Sequence, residues 1–226
     1  MAAPSVPAVP AAPAAFAPGR APRLLDLCAH PLPPAAPDSA PQSASDALAC
    51  IPGPDDPRFE EALARVAALR PRVLLAPCLD GRDAQRLSGR LAAAEARAGL
   101  ADGAIGLVAC LNEAAALLRL DSWRAATGRL RALTWDCAAL AADLGLPCAR
   151  EAGALVPPLA QARVMVAWAA AGAGVRALDA PYEGARGDLA TLAQEARAAR
   201  RDGFFGKVAR DSEEARVIAE AFAEPA

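Results

Sequence analysis

Two ionisable side chains fall in segments that the sequence predicts to be buried strands, which makes them the first candidates for chemistry. Asp179 follows the strand predicted over residues 175–178, and Lys207 lies inside the strand predicted over residues 204–209. Because an unpaired lysine is costly to bury, we expect Lys207 to have a structural or a catalytic partner. Asp179, at a strand end, is a candidate for binding or catalysis, and capping the next loop would suit it equally.

The cysteine and histidine residues are not spaced in the sequence as they are in known zinc sites. The chain has six cysteines and one histidine, His30, and no two cysteines form a C-x-x-C pair. These spacings exclude the usual zinc sites, and the length of the chain argues against a disulfide framework. We therefore expect the cysteines to be small buried core residues.

Composition and charge predict one globular domain in the cytoplasm. Of the 226 residues, 54% are apolar and only 4% are aromatic, so an aliphatic, helix-rich core is expected. The net charge of −2 does not suggest a basic surface that would bind nucleic acid. No apolar stretch is long enough to span a membrane. Residues 1–22 are mostly Ala, Pro and Val without the charged start of a signal peptide. They predict a disordered tail before a domain over residues 23–226.

From about residue 46 onward, short apolar runs alternate with longer Ala-, Arg- and Glu-rich segments of helical period. The apolar runs are continuous rather than alternating, which is typical of parallel strands buried on both faces. A (β/α) barrel and an open doubly wound sheet both fit this order. No G-x-G-x-x-G or phosphate-binding loop follows any of these runs, which weakens a dinucleotide-binding interpretation.

Four segments in chain order resemble the citrate lyase beta subunits and the related malyl- and citramalyl-CoA lyases. Residues 129–145 (RLRALTWDCAALAADLG) are similar to a strand–loop–helix of that family, and residues 177–182 (ALDAPY) to the end of one of its strands. Residues 202–209 (DGFFGKVA) are similar to its Gly-Lys strand, and residues 69–77 (LRPRVLLAP) to its Pro-Lys strand. The resemblance extends over roughly residues 47–222.

The resemblance implies an α/β fold, a TIM-type (β/α) barrel with its site at the carboxyl ends of the strands. It also implies cleavage of a carbon–carbon bond in a CoA thioester or a hydroxy-ketoacid, with Mg²⁺ offsetting the charge of an enolate. With the strand–helix period, it predicts seven strands where the family has eight, so that the first strand–helix unit is missing. The strands are expected near 24–27, 47–51, 73–77, 105–111, 131–135, 175–179 and 204–209.

The resemblance places the family's metal ligands on residues that are poor at holding Mg²⁺. The position of its glutamate ligand falls on Asn112, and its Glu-Asp pair falls on Ala138 and Ala139. Glu113 and Asp136 are nearby carboxylates that could replace them. The predicted metal-binding set is therefore Asn112, Glu113 and Asp136.

Other site positions follow from the same resemblance. Cys78 stands where the family has the lysine of its Pro-Lys strand, and Cys78 and Arg163 are the predicted substrate-binding residues, although an ion pair would also suit Arg163. The predicted catalytic residues are Asp179 and Lys207. The family's substrate-binding arginine has no counterpart near residues 48–51.

Two functional hypotheses follow from these departures. The first is an Mg²⁺-dependent carbon–carbon lyase of impaired activity, acting on a small ketoacid or a CoA thioester. The second is a catalytically inactive barrel that acts as a partner or regulatory subunit. In both hypotheses the protein is expected to form a homo-oligomer or a complex with a partner subunit. An unrelated open-sheet domain that binds small molecules is a third hypothesis, which the resemblance disfavours.

Overall fold

The computed structural model describes residues 23–26 and 47–223, and in that part of the chain seven strands form one parallel sheet. Their order across the sheet follows their order in the chain, β1-β2-β3-β4-β5-β8-β9, and a separate antiparallel hairpin joins β6 to β7. The strands are Arg23–Asp26 (β1), Ala47–Cys50 (β2), Val73–Pro77 (β3), Gly106–Leu111 (β4), Leu130–Trp135 (β5), Arg150–Glu151 (β6), Ala154–Leu155 (β7), Arg176–Asp179 (β8) and Gly206–Lys207 (β9).

From β2 onward, helices connect successive strands of the large sheet and cover one of its faces. A short 3₁₀ turn at Leu120–Trp123 lies between the third helix and β5. The helices are Phe59–Leu69 (α1), Gly81–Arg97 (α2), Ala114–Leu117 (α3), Cys137–Asp143 (α4), Pro157–Ala173 (α5), Leu189–Arg201 (α6) and Ser212–Ala223 (α7). No helix in the described ranges combines the length and apolar character that a membrane span requires.

Both faces of the sheet are buried, as the continuous apolar runs predict. In β4, Leu107 and Leu111 pack into the large cluster beneath the helices, whereas Val108 and Cys110 pack into a smaller cluster on the inner face. Successive side chains of a strand point to opposite faces, so a fully apolar strand supplies both clusters at once. The inner cluster lies where the sheet curls into part of a barrel.

The predicted parallel α/β architecture is confirmed, with strands at the seven predicted places. The strand order has no reversal, so an open doubly wound sheet is excluded for the described residues. β1 and β9 are the two edges of the sheet and do not pair with each other there, so the described chain forms a partial barrel. That the missing unit is the first one of the family's barrel remains a prediction, and the predicted tail over residues 1–22 lies outside the described residues.

Local side-chain chemistry fixes where two helices begin. α5 begins at Pro157, because proline is tolerated in the first helical turn, where its missing N–H has no partner to lose. α2 begins at Gly81, where the side chain of Asp80 accepts hydrogen bonds from the backbone N–H groups of Arg82 and Asp83. A Cβ at Gly81 would clash with the backbone carbonyl oxygen of Ser122, so this close approach requires glycine.

Candidate functional site

Asp179, the last residue of β8, lies on the face of the sheet that the helices cover. Its Oδ1 accepts hydrogen bonds from Trp135 Nε1 at 3.0 Å and from Arg163 Nε at 3.1 Å. Its Oδ2 lies 3.3 Å from Arg163 Nη2 and 3.4 Å from Lys207 Nζ. Only 3% of Asp179 is exposed. The structure therefore brings together three residues that the sequence predicted to act in a site, from β8, α5 and β9.

The charge of Asp179 is stabilised by these neighbours. Burial opposes ionisation of the carboxyl group, but the cations of Lys207 and Arg163 and the hydrogen bonds it accepts hold its pKa below the usual range. Arg163 is fixed in turn by Asp202, whose Oδ2 lies 2.7 Å from Nη1, and it stacks over the ring of Phe204 at 4.6 Å. A carboxylate saturated in this way is a positioning group and a poor proton acceptor.

Lys207 is buried and paired, as its place inside a strand predicts. Its Nζ lies 3.4 Å from Asp179 Oδ2 and 3.5 Å from Glu195 Oε2, and 3% of the residue is exposed. Glu195, on α6, also accepts from Arg150 of the β6–β7 hairpin at 2.8 Å. The two ion pairs of Lys207 are long, so the ammonium group keeps the capacity to donate to a third acceptor.

A cavity of about 300 Å³ opens beside this cluster, between the ends of β5 and β8, the hairpin and the amino-terminal half of α5. Its volume is at the lower end of those that hold small ligands. Three cations and three carboxylates line it, so its charges balance. Besides the ammonium group of Lys207, the Nε of Arg150 is a donor available to a ligand, because it is buried and makes no hydrogen bond within the described residues. The six charged residues are Arg150, Arg163, Lys207, Asp179, Glu183 and Glu195.

The predicted metal ligands lie elsewhere, just beyond the carboxyl ends of β4 and β5. The backbone N–H of Asp136 donates to the Leu111 carbonyl at 3.3 Å. Asp136, just after β5, therefore lies beside Asn112, just after β4. Asp136 Oδ1 caps α4 by accepting from Ala139 N at 2.9 Å, and Glu113 is exposed. In the part of the chain that is described, no three His, Cys, Asp or Glu side chains are grouped to hold a metal ion. An amide, an exposed carboxylate and a carboxylate that already caps a helix, with no third acidic side chain grouped beside them in the described residues, fit Mg²⁺ poorly.

Cys78, predicted to bind substrate, follows β3 and does not line the cavity. It is 3% exposed, and its backbone N–H donates to the Cys110 carbonyl at 3.1 Å. Burial, helped by the nearby carboxylates of Asp83 and Asp80, raises the pKa of its thiol to about 12. The thiol is therefore neutral and offers no charge to a carboxylate ligand.

The sequence did not predict four further residues that line the cavity, Cys137, Arg150, Glu183 and Glu195. Glu195 lies on a helix whose sequence is typical of a solvated surface, and Arg150 lies on the hairpin, which was not predicted either. The hairpin turns at Ala152 and Gly153, whose φ angles are 48° and 83°, and a glycine between two short segments is the feature that could have indicated it. Cys137 lines the cavity as a neutral thiol, since burial and the nearby Glu183 raise its pKa to about 12.

No protein-family model and no curated protein sequence matches this chain. Solved structures do. RipC from Yersinia pestis is 25% identical, over 90% of this chain and 89% of that one, with a TM-score of 0.66. The citrate lyase beta subunit from Mycobacterium tuberculosis, complexed with oxaloacetate and magnesium, is 21% identical over 89% of this chain and 86% of that one, with a TM-score of 0.68.

A further structure of the Mycobacterium tuberculosis protein CitE holds magnesium, acetoacetate and coenzyme A. It is 21% identical, over 89% of this chain and 72% of that one, with a TM-score of 0.70. These ligands belong to the proteins in which they were found. The resemblance inferred from four short segments is thus confirmed by the fold, which is similar to that of citrate lyase beta subunits and of RipC.

Proposed function

We propose that this chain is a carbon–carbon lyase-type barrel whose Mg²⁺-dependent cleavage of a CoA thioester or hydroxy-ketoacid is impaired. The observation that carries the proposal is the donor set at the ends of β4 and β5. A fold similar to that of citrate lyase beta subunits supports the lyase class. Asn112 and Ala139, at the positions of the family's acidic ligands, support the impairment.

The impairment has a direct electrostatic reason. An enolate develops negative charge, which a fixed hard cation offsets in this class of reaction. Asn112 offers a neutral amide oxygen, Ala139 offers none, and one oxygen of Asp136 already caps α4. Loss of such stabilisation typically costs several kcal/mol, roughly a thousandfold or more in rate.

In this proposal the cluster around Asp179 binds and positions, and it does not abstract a proton. Asp179 holds Arg163 and Lys207 in place on the wall of the cavity. Lys207 Nζ and the unpartnered Nε of Arg150 are the donors that a ligand carboxylate or carbonyl would meet there. Because the charges of the cavity balance, a ligand with a single negative charge suits it better than one with several.

A second candidate function, a catalytically inactive partner or regulatory subunit, is favoured by apolar side chains left on the surface. Trp168 on α5 is 71% exposed, and Leu118 at the end of α3 is 85% exposed. Large exposed apolar groups of this kind occur at subunit interfaces. A homo-oligomer or a complex with a partner subunit in the cytoplasm therefore remains part of the proposal.

The affinity of the protein for Mg²⁺ tests whether the metal site is impaired. Calorimetric titration of the purified protein with Mg²⁺ is expected to give no saturable heat. The double substitution Asn112→Glu with Ala139→Asp is expected to create binding with a stoichiometry of one, because it adds a carboxylate at the end of β4 and another in the first turn of α4.

The matched control combines Asn112→Glu with Ala142→Asp, which adds the same charge to α4 one turn further from the strand end. We expect this control to behave like the unmodified protein. Saturable Mg²⁺ binding by the unmodified protein would contradict the proposed impairment, and equal binding by both double variants would show that added charge alone explains the effect.

A further inference from the structure

The charged cavity beside Asp179 lies on the helix-covered side of the sheet. Trp135 and Cys137, which line it, belong to the large cluster beneath the helices, and Leu155 of the hairpin packs against that cluster. Asp179 faces α5, where it accepts a hydrogen bond from Arg163. The cavity is therefore separate from the inner face of the partial barrel.

Arg150 and Lys207 keep donors that the carboxylates of the cavity do not use. Arg150 donates from Nη1 to the Gly153 carbonyl at 2.9 Å, and its Nη2 pairs with Glu195 Oε1 at 2.8 Å. Because Nε and Nη2 share one edge of a guanidinium group, the Nε–H of Arg150 points to the side on which Glu195 lines the cavity. This Nε is buried and makes no hydrogen bond within the described residues. Buried polar groups nearly always have a partner, so a ligand oxygen is expected here, within reach of Lys207, which is 3.5 Å from the same glutamate.

A carboxylate without a basic partner lines the same cavity. Glu183 is exposed, and in the described part of the chain its side chain forms no ion pair. It accepts a hydrogen bond from the thiol of Cys137, and the charge of Arg150 acts on the same thiol. Glu183 and Arg150 are thus both near one sulfur atom without pairing with each other. A single small ligand can therefore meet Arg150 with an anionic group and Glu183 with a cationic group.

We propose that this cavity binds the zwitterion of a small α-amino acid that has an apolar side chain. Its carboxylate would meet Arg150 and Lys207, and its ammonium group would meet Glu183. Its side chain would lie against the apolar walls that Trp135 and Leu155 provide. The inference rests on the carboxylate-binding role proposed above for this cavity, and it does not depend on Mg²⁺ or on carbon–carbon cleavage.

Charge and volume both favour this class of ligand. The three cations and three carboxylates of the cavity already balance, and a zwitterion adds no net charge to them, whereas a simple acid or a simple amine does. A cavity of about 300 Å³ suits a small molecule, and apolar walls with a few placed polar groups are the usual composition of such sites.

Calorimetric titration of the full-length protein with L-leucine tests the inference. Isocaproate, which lacks the ammonium group, and isoamylamine, which lacks the carboxylate, are the analogues. Leucine is expected to bind saturably at one site, and each analogue about tenfold or more weakly. Glu183→Gln should weaken leucine binding about tenfold but should not weaken isocaproate binding, because only leucine has an ammonium group to pair with the carboxylate. Arg150→Met should weaken the binding of both acids.

Glu151→Gln is the matched control, because Glu151 is an exposed glutamate beside Arg150 that does not line the cavity. Its affinity for leucine should equal that of the unmodified protein. Glu183 is also exposed, so Glu183→Gln should fold normally, which circular dichroism checks. The inference is overturned if leucine does not bind saturably, if either analogue binds as tightly as leucine, or if Glu183→Gln keeps the original affinity for leucine. None of these titrations contains Mg²⁺ or a thioester, so their result is independent of the tests of the lyase function.

Discussion

Replacing Glu95 by glutamine is expected to lower the free energy of unfolding by about 3–5 kcal/mol. Glu95 is wholly buried on α2 and accepts hydrogen bonds from the backbone N–H groups of Gly103 and Ile105, at 3.1 and 2.8 Å. It also pairs with Arg129, whose Nη1 lies 2.9 Å from Oε1. A glutamine would turn an amide donor toward these donors and leave the 6% exposed Arg129 without its main counter-charge. Urea denaturation measures the loss.

The control for this prediction is Glu220→Gln, at an ion pair with Arg216 in which both side chains are more than half exposed. Exposed pairs contribute about 0–1 kcal/mol, so its stability should hardly change. The double substitution Glu95→Leu with Arg129→Leu should lower the free energy of unfolding by less than Glu95→Gln does, because it removes both charges together. A loss below about 1 kcal/mol for Glu95→Gln would contradict the structural role given to this pair.

The second large effect is expected at Asp179. Asp179→Asn removes the carboxylate that Arg163 and Lys207 share and should also lower the free energy of unfolding by about 3–5 kcal/mol near neutral pH. The remaining partners, Asp202 and Glu195, do not replace it, because each already pairs with a second basic residue.

The effect of Asp179→Asn should depend on pH in a defined direction. Because the folded pKa of Asp179 lies below its unfolded value of about 3.9, its stabilising contribution is complete only from about one pH unit above that value, and it is lost as pH falls through the folded pKa. The difference in unfolding free energy between the two proteins should therefore shrink between about pH 5 and pH 3. A difference that is constant over this range would show that the carboxylate charge is not responsible.

The positions of the strands were predictable because each is a short, continuous apolar run, as in residues 106–111. Because the strands are apolar throughout, the sequence does not indicate which side chains face the helices and which face the inside of the barrel. Asp179 therefore appeared as a strand-end residue, and only the structure shows that it faces α5 and not the inside of the barrel.

The partners of the site were not predictable, because they come from segments that look solvent-exposed. Glu95 and Glu195 lie in Ala- and Arg-rich helices where a glutamate normally faces water, yet Glu95 is wholly buried and Glu195 joins Lys207. Contacts between residues so far apart in the chain depend on how the helices pack. Asn112 and Asp136, two of the predicted metal ligands, follow the neighbouring strands β4 and β5.

The measurement that tests the central claim most directly is the rate of malyl-CoA and citryl-CoA cleavage by the purified protein with saturating Mg²⁺. An ordinary enzyme turns over at about 1–1,000 per second. The proposed impairment predicts a rate lower by roughly a thousandfold or more. Turnover of either thioester within the ordinary range would contradict the claim that the magnesium site is impaired.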